Sequence, residues 1–314
     1  MKIIMIGHGM VGHKFIESVL EHVGDDVEIT ILAEEPRLAY DRVHLTEYFS
    51  GKSAKDLTLC RADFADAYGI DLRLNTKAVA IDQSHKTVTT NHGDVLSFDK
   101  LILATGSYAF VPPISGNDRE NCFVYRTIED LDAIRAASLN AKSGVVIGGG
   151  LLGLEAAKAL RDLNLETHVV EFAPRLMAVQ IDDLGGKVLR AKIENLGVKV
   201  HTQKATSSIE EGTATKHVMK FGDGSELETD IILFSAGIRP RDELARQSGL
   251  ALGERGGIMI NDYCQTSNPD IYAIGECALW DNKIYGLVAP GYTMASVCAS
   301  QIAGEHDSLF DGAD

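Results

Sequence analysis

The chain has 314 residues, 45% of them hydrophobic, and a formal net charge of −15 at pH 7. This length predicts about two domains of roughly 150 residues each. The acidic charge disfavours nucleic acid and anionic membranes as partners, and no apolar run approaches the ~18–20 residues that span a bilayer. The first residues, MKIIMI, are too short for a signal peptide, so we expect a cytoplasmic protein.

The cysteine and histidine spacings favour neither a disulfide framework nor a metal site. The five cysteines include no CxxC pair, and the ten histidines show no HxxxH or HExxH spacing. We therefore expect buried thiols in a reducing compartment and no bound metal.

Short apolar runs alternate with helical patterns along the chain, as is typical of βαβ units and parallel sheets. Residues 2–6 are predicted to form a buried strand, and residues 27–32 are predicted to form the next strand. Between them, apolar residues recur every four positions from Met10, which predicts an amphipathic helix that ends at 24–26. The same strand–glycine–helix unit recurs about 140 residues later, beginning with a strand at 143–147.

Further strands are predicted at 101–103, 167–170, 230–234 and 270–274. Proline-containing steps at 112–113 and 239–240 follow two of them and suggest that the chain crosses between domains there. We therefore predict an α/β protein with two Rossmann-like three-layer domains, one formed by 111–238 and inserted into the other, formed by 1–110 and 239–314. The polar, acidic tail from 306 onwards is expected to be loosely held.

The first glycine loop, GHGMVG at 7–12, follows a predicted strand and opens a predicted helix. Gly7 suits a tight turn, Gly9 a close approach to a pyrophosphate, and Gly12 close packing of helix on strand. The helix N-terminus offers free N–H groups to the phosphates. An acidic residue about 20 positions further on binds ribose hydroxyls in such units, and Glu34 or Glu35 takes that place, with Glu34 preferred.

The second loop, GGGLLG at 148–153, repeats this arrangement, and its acidic residue is Glu171 at the end of the next strand. A carboxylate there accepts the ribose hydroxyls of NAD and repels the 2′-phosphate of NADP. Arg175, four residues later, leaves NADP open.

Three other strands also end at glycine, in ATG at 104–106, SAG at 235–237 and IYAIGE at 271–276. Together with the two loops they resemble the pyridine nucleotide-disulfide oxidoreductase superfamily, whose members bind FAD and NAD(P)H. The resemblance implies FAD on the first loop and NAD(P)H on the second. It also assigns Glu276 to the ribityl chain of FAD, where the family usually has Asp, so we expect a slightly shifted contact.

Disulfide-bearing members of that superfamily have a CxxxxC pair, and others have one cysteine near 40–45, but this chain has neither. Electrons are therefore expected to leave the flavin directly. The segment YDRVHL at 40–45 resembles the YDRxxLS region of ferredoxin-reductase-like members, which implies that Arg42 lies along FAD; a solvated surface arginine is the alternative. The lysine that usually follows is replaced by Thr46-Glu47, which argues against a simple ferredoxin reductase.

A closer resemblance, at 7–13, 39–45, 124–131, 148–155 and 286–292, is to the N-terminal part of NAD(P)H-dependent nitrite reductase large subunits. It implies a module that passes hydride from NADH to FAD and then electrons to iron–sulfur clusters and siroheme in later modules or a small subunit, where nitrite becomes ammonia. The alternatives are a stand-alone ferredoxin or rubredoxin reductase and, less favoured, a nucleotide-sensing flavoprotein.

The motifs and the resemblance together define the candidate sites. Glu155 is assigned to the nicotinamide region, with charge compensation at the helix N-terminus as the alternative. The residues expected to bind FAD are Gly7, Gly9, Met10, Val11, Gly12, Glu34, Glu35, Arg42, Ala78, Ala104, Thr105, Gly106, Gly275 and Glu276. The residues expected to bind NADH, or possibly NADPH, are Gly148, Gly150, Leu151, Leu152, Gly153, Glu171, Ala236 and Gly237.

Overall fold

The computed structural model describes residues 1–23 and 27–312. Its strands are β1 Lys2–Ile6, β2 Glu28–Leu32, β3 Asp71–Arg73, β4 Ala78–Asp82, β5 Thr87–Thr90, β6 Val95–Ser97, β7 Lys100–Leu103, β8 Ser107–Ala109, β9 Cys122–Val124, β10 Ser143–Ile147, β11 Glu166–Val170, β12 Val198–His201, β13 Thr206–Glu211, β14 His217–Phe221, β15 Glu226–Thr229, β16 Ile231–Phe234, β17 Ile238–Pro240, β18 Ile258–Met259, β19 Ile271–Ala273 and β20 Ala278–Leu279. Its α-helices are α1 Met10–His22, α2 Phe64–Ala67, α3 Ile128–Ser138, α4 Leu151–Asp162, α5 Asp183–Asn195, α6 Glu243–Ser248 and α7 Val288–Ile302.

The strands predicted from the sequence are all present, with ends that differ by at most one residue. The predicted first helix begins at Met10 as expected, and its predicted end at 24–26 lies outside the described residues. The prediction of an α/β protein built on parallel sheets is confirmed.

The chain divides into two compact units. The first contains Met1–Asp41, Thr58–Tyr108 and Arg239–Asp314, and the second contains Arg42–Leu57 and Ala109–Ile238. Along the chain, Ala109–Ile238 lies between two parts of the first unit, in the region of the predicted insertion at 111–238. The segment Arg42–Leu57 differs, because it groups with the second unit although the sequence placed it in the first.

The first unit is built on a five-stranded parallel sheet of order β19-β7-β1-β2-β3. After the exposed Lys2, all four residues of β1 are buried, as expected for a strand with both faces covered. Helices α1 and α7 pack against each other in this unit, and β4, β5 and β6 form an antiparallel meander. The carboxyl ends of β1, β7 and β19 therefore lie side by side.

The second unit repeats this plan with a parallel sheet of order β12-β11-β10-β16-β9. Helix α4 packs on β10 and β11. Val145, Ile147 and Phe234 of the sheet form a core with Ile209 and Met219 of the antiparallel meander β13-β14-β15. Helix, sheet and meander are thus the three layers that the sequence predicted.

The tail is packed at Phe310, so the prediction of a loose segment from 306 onwards is wrong at that residue, whereas 306–309 are exposed. Phe310 is only 1% exposed, and its ring meets those of Trp280 and Tyr285 edge to face at 5.3 and 5.5 Å. Its N–H donates to the carbonyl of Asp262 at 2.8 Å. The burial of this one aromatic side chain against two other rings decides the packing, although the residues around it are polar.

Within the described ranges, no helix has the length and apolar character needed to cross a membrane. In those same ranges, no group of three or more His, Cys, Asp or Glu is placed to hold a metal ion.

Candidate functional site

The first glycine loop joins β1 to α1, and its backbone requires glycine at two positions. Gly7 has a φ of +100°, and a Cβ there would lie 2.3 Å from the carbonyl oxygen of Ala104. A Cβ on Gly12 would lie 2.6 Å from the carbonyl oxygen of Gly7. The turn and the close helix packing that the sequence predicted are therefore both present.

Gly9 differs from those two glycines because a Cβ on it would meet nothing within 4 Å. It is the N-cap of α1, and no side chain caps the helix there. The space beside Gly9 at the N-terminus of α1 is therefore open on the protein side, which suits a pyrophosphate.

Other predicted residues of the first unit gather at this loop. Gly275 has a φ of +75°, and a Cβ there would lie 3.3 Å from the side chain of Val11. Glu276 follows it and accepts a hydrogen bond from Ser107 Oγ at 2.7 Å. The segment 104–106 runs beside them, because the carbonyl of Ala104 touches Gly7.

The two acidic candidates after β2 are held in different ways. Glu34 pairs with Arg241 at 2.7 Å and with Lys77 at 3.3 Å. Partial burial raises the pKa of Glu34, but these two cations outweigh it and hold the pKa below its usual range. Glu35 accepts the Tyr40 hydroxyl at 2.8 Å. Ala78 is buried at the start of β4.

His8, between Gly7 and Gly9, is a feature that the sequence reasoning missed. Its ring is 9% exposed and lies against His13 and Phe64, with centroids at 5.6 and 6.4 Å. Neither ring nitrogen has a hydrogen-bond partner among the described residues. Burial, and secondarily the neighbouring His13, lowers the pKa of His8 to about 4. The motif is defined by its glycines and makes no prediction for the residue between them, although the sequence shows that this residue is a large one.

The second glycine loop has the same backbone plan. Gly148 has a φ of +120°, and a Cβ there would lie 2.2 Å from the carbonyl oxygen of Ser235. A Cβ on Gly153 would lie 2.0 Å from the carbonyl oxygen of Gly148. Gly150 is the uncapped N-cap of α4, and a Cβ on it would meet nothing within 4 Å.

Glu171 lies against this loop and is held by two backbone donors. Its Oε2 accepts the N–H of Gly149 at 2.5 Å, and its Oε1 accepts the N–H of Ala173 at 2.6 Å. The contact to Gly149 was not anticipated, because the motif assigns no task to the second residue. A signal was nevertheless present, since a third consecutive glycine exceeds what the motif requires.

Arg175 is engaged inside the second unit. Its guanidinium donates to the carbonyls of Ile181 and Ala178 at 3.0 and 3.1 Å and pairs with Asp183 at 2.7 Å. Its stem lies against Gly186, where a Cβ would be 2.9 Å from Arg175 Cδ. In the sequence, this arginine left NADPH open as an alternative to NADH. In the structure, its partners are residues before and at the start of α5.

Arg42 and Glu155 both belong to the second unit. Arg42 Nη1 donates to the carbonyl of Arg126 at 2.9 Å. Glu155 lies on α4, half-buried, and burial raises its pKa while the nearby His44 lowers it. His44 immediately precedes the short 3-10 helix Leu45–Tyr48, which packs on α4. The segment 42–48 thus brings His44 close to Glu155.

The remaining predicted residues of this unit lie around the loop. Leu151 and Leu152 are exposed at 48% and 42% in the first turn of α4. Ala236 and Gly237 follow β16, and the carbonyl of Gly237 accepts the N–H of Phe110 at 2.9 Å.

The two glycine loops on parallel sheets can now be compared with known protein families. The family model described as pyridine nucleotide-disulphide oxidoreductase matches residues 1–301. The chain belongs to this family. The predicted oxidoreductase class and its cofactors, FAD and a pyridine nucleotide, are confirmed by this membership.

Among the relatives, the chain is 55% identical over 315 residues to the nitrite reductase (NADH) large subunit of Escherichia coli (strain K12), covering 100% of the chain and 37% of that protein. It is 57% identical over 316 residues to the nitrite reductase [NAD(P)H] large subunit of Klebsiella oxytoca, covering 99% and 32%. The chain thus spans about a third of the length of these relatives. The resemblance to nitrite reductase large subunits is confirmed.

A solved structure gives the same fold. The ferredoxin reductase for the CYP199A2 system from Rhodopseudomonas palustris superposes with a TM-score of 0.93 at 25% identity, covering 100% of this chain and 78% of that one.

Proposed function

We propose that this chain is the electron-input module of a nitrite reductase, which takes hydride from NADH onto FAD and passes electrons to iron–sulfur and siroheme centres. The observation that carries the proposal is the pair of glycine loops, each with one glycine facing open space at an uncapped helix N-terminus. The 55% identity along the whole chain supports the choice of nitrite reductase among oxidoreductases.

The first unit fits FAD. Gly9 leaves room for the pyrophosphate, Glu34 stands ionised at the end of β2 for a ribose, and Glu276 stands after β19 for the ribityl chain. Bound FAD supplies the chemistry, because a flavin accepts two electrons as hydride and releases them singly. The chain holds and orients it.

The second unit fits NADH. Gly150 leaves room for its pyrophosphate, and the fixed carboxylate of Glu171 offers acceptors for two ribose hydroxyls. The same negative charge disfavours a 2′-phosphate, and Arg175 is tied to other partners. Glu155 belongs to the nicotinamide end in this proposal, where its half-buried side chain near His44 would help to hold the nicotinamide and would transfer no proton.

The electrons leave to partners that bear metal centres. The five cysteines of residues 1–314 are free thiols spread over the chain, so they offer no cysteine set for an iron–sulfur cluster. We assign nitrite reduction to later modules or a small subunit. A cytoplasmic location remains part of the proposal.

The test uses the FAD-loaded protein with NADH under anaerobic conditions. We expect steady reduction of ferricyanide, a one-electron acceptor, and no consumption of nitrite. Nitrite turnover by residues 1–314 alone, or failure to reduce ferricyanide, would contradict the proposal.

A stand-alone ferredoxin or rubredoxin reductase is the second candidate, supported by the similarity to a ferredoxin reductase. The two are separated by the specificity constant for a purified ferredoxin and a rubredoxin. A kcat/KM of about 10⁷ M⁻¹s⁻¹ or above, at the upper end of the range found for enzymes, would favour the second candidate.

A further inference from the structure

The glycine at position 149 has no backbone reason to be glycine. Its φ lies outside the left-handed region, unlike that of Gly148. A Cβ on Gly149 would approach side chains and not a carbonyl: Leu176 Cδ2 at 2.6 Å, Glu171 Oε2 at 3.0 Å and Glu171 Cβ at 3.1 Å. The demand for glycine at 149 therefore comes from the residues packed over it.

Those residues form a short lid on the loop. Leu176 is fully buried, and the N–H of Met177 donates to the carbonyl of Gly149 at 2.9 Å. Gly149 in turn donates its N–H to Glu171 Oε2. Both hydrogen-bonding groups of Gly149 thus hold the segment 171–177 close to the loop.

The contact fixes the direction in which Glu171 presents its carboxylate. Each oxygen already accepts one N–H, and each retains a lone pair for another donor. Two vicinal hydroxyls bind such a carboxylate best when neither oxygen has to reorient, because ordering a free side chain costs affinity.

We propose that Gly149 is a positioning residue for coenzyme selectivity: the absence of its side chain lets Glu171 close onto the loop and present both oxygens to the diol that distinguishes NADH from NADPH. This inference rests on the proposed function of the second loop. The first loop supports the inference by contrast. His8 occupies the equivalent position there, and the acidic residue Glu34 is held by Arg241 and Lys77.

The experiment is anaerobic stopped-flow reduction of the FAD-loaded protein, with NADH and NADPH each varied in concentration. For Gly149→Ala we expect the Kd of NADH to rise about tenfold, in line with a weakened charge-assisted hydrogen bond. The Kd of NADPH should change less than about twofold, because Glu171 makes no favourable diol contact there. The limiting rate should also stay within about twofold, since the nicotinamide end is untouched. An unchanged ratio of the two Kd values would overturn the inference.

Two double variants guard against a simple folding defect. Gly149→Ala/Leu176→Val relieves the contact of the new methyl group with residue 176 but leaves its contact with Glu171. The ratio of the Kd of NADPH to the Kd of NADH should therefore stay as low as in Gly149→Ala. Gly149→Ala/Glu171→Asp shortens the acid by one methylene and should recover part of the preference for NADH. Loss of activity without this pattern would mean that Gly149 matters only for packing.

Gly150→Ala separates this inference from the function on which it rests. A methyl there projects into open space in the protein but toward the expected pyrophosphate, which both nucleotides share. It should weaken NADH and NADPH equally. If it changes neither, the second loop is no nucleotide site and the proposed function fails, whereas a failure of Gly149→Ala alone overturns only the inference.

Discussion

The two glycine loops share a backbone and differ in their side chains. In each, the first glycine has a positive φ and touches a carbonyl of the neighbouring strand end, and its N–H donates to the strand on the other side. In each, the third residue faces open space. The second residue is His8 in one loop and Gly149 in the other.

That one position determines what lies over the loop. In the first unit a buried imidazole fills the space beside His13 and Phe64. In the second unit the space is taken by Glu171 and Leu176. The spacing of the glycines therefore sets the same backbone in both loops, whereas the residue between the first two glycines decides how the acidic residue after the next strand is held. In our proposal the first loop keeps FAD and the second exchanges NADH.

The shared backbone is tested by Gly7→Ala and Gly148→Ala. Each forces a Cβ onto a carbonyl oxygen at a positive φ, so we expect each to lower the free energy of unfolding of its own unit by about 4 kcal/mol. Hydrogen exchange should show the loss in β1 for the first variant and in β10 for the second. The controls Gly9→Ala and Gly150→Ala, where the Cβ meets nothing, should cost less than about 1 kcal/mol. Equal losses in all four would contradict the account.

The difference at the second position is tested by acid. His8 takes up a proton near pH 6.5 when unfolded but near pH 4 when folded. The unfolded chain therefore binds more protons between these values, and stability falls as pH decreases from about 6.5 to about 4, by about 3 kcal/mol in total. Denaturant unfolding across this range should show the loss of about 3 kcal/mol as the difference between the wild type and His8→Leu, because other partly buried histidines such as His168 and His217 also have lowered pKa values and contribute equally to both proteins. The exposed His85→Gln should behave like the wild type; if it also removes the loss, the assignment to His8 is wrong.

The two acidic residues are compared through selectivity. Glu171→Arg should lower the preference for NADH over NADPH by about 10- to 100-fold, because it removes diol acceptors and adds a partner for a 2′-phosphate. Glu34→Arg should leave that ratio unchanged and weaken retention of FAD. Kd values from flavin reduction and the FAD content after gel filtration measure the two effects. A changed nucleotide ratio in Glu34→Arg would mean that the loops are assigned the wrong way round.

The smallest effect is expected at Arg175. Asp183→Asn removes an exposed ion pair that contributes about 0.5 kcal/mol. Arg175 still donates to the carbonyls of Ala178 and Ile181, so the Kd of NADPH should change less than about twofold. A large gain in NADPH affinity would show that Asp183 alone keeps the arginine from the nucleotide.

Much of the fold followed from the sequence because its signals are local. Buried parallel strands are continuous apolar runs, and the glycines after residues 6 and 147 mark where each strand turns into a helix. The candidate residues at 104–106 and 275–276 each follow a strand of the same parallel sheet. They could be placed beside the first loop because the carboxyl ends of parallel strands lie at one edge of the sheet.

The features that escaped prediction depend on contacts distant in the sequence. Phe310 is buried by Trp280 and Tyr285, and polar neighbours gave no sign of that pocket. The segment Arg42–Leu57 joins the second unit through partners such as Arg126 and Asp132. The role of Gly149 appears only when the Glu171 side chain is seen to close onto it.

The central claim is that one loop holds FAD and the other delivers NADH to it. The most direct test is an anaerobic titration of the FAD-loaded protein with NADH, followed by the absorbance of oxidised flavin. The account predicts that the absorbance is lost in proportion to the NADH added and is fully lost near one NADH per flavin. A chain that retains no FAD after reconstitution, or a flavin that stays oxidised in excess NADH, would contradict it.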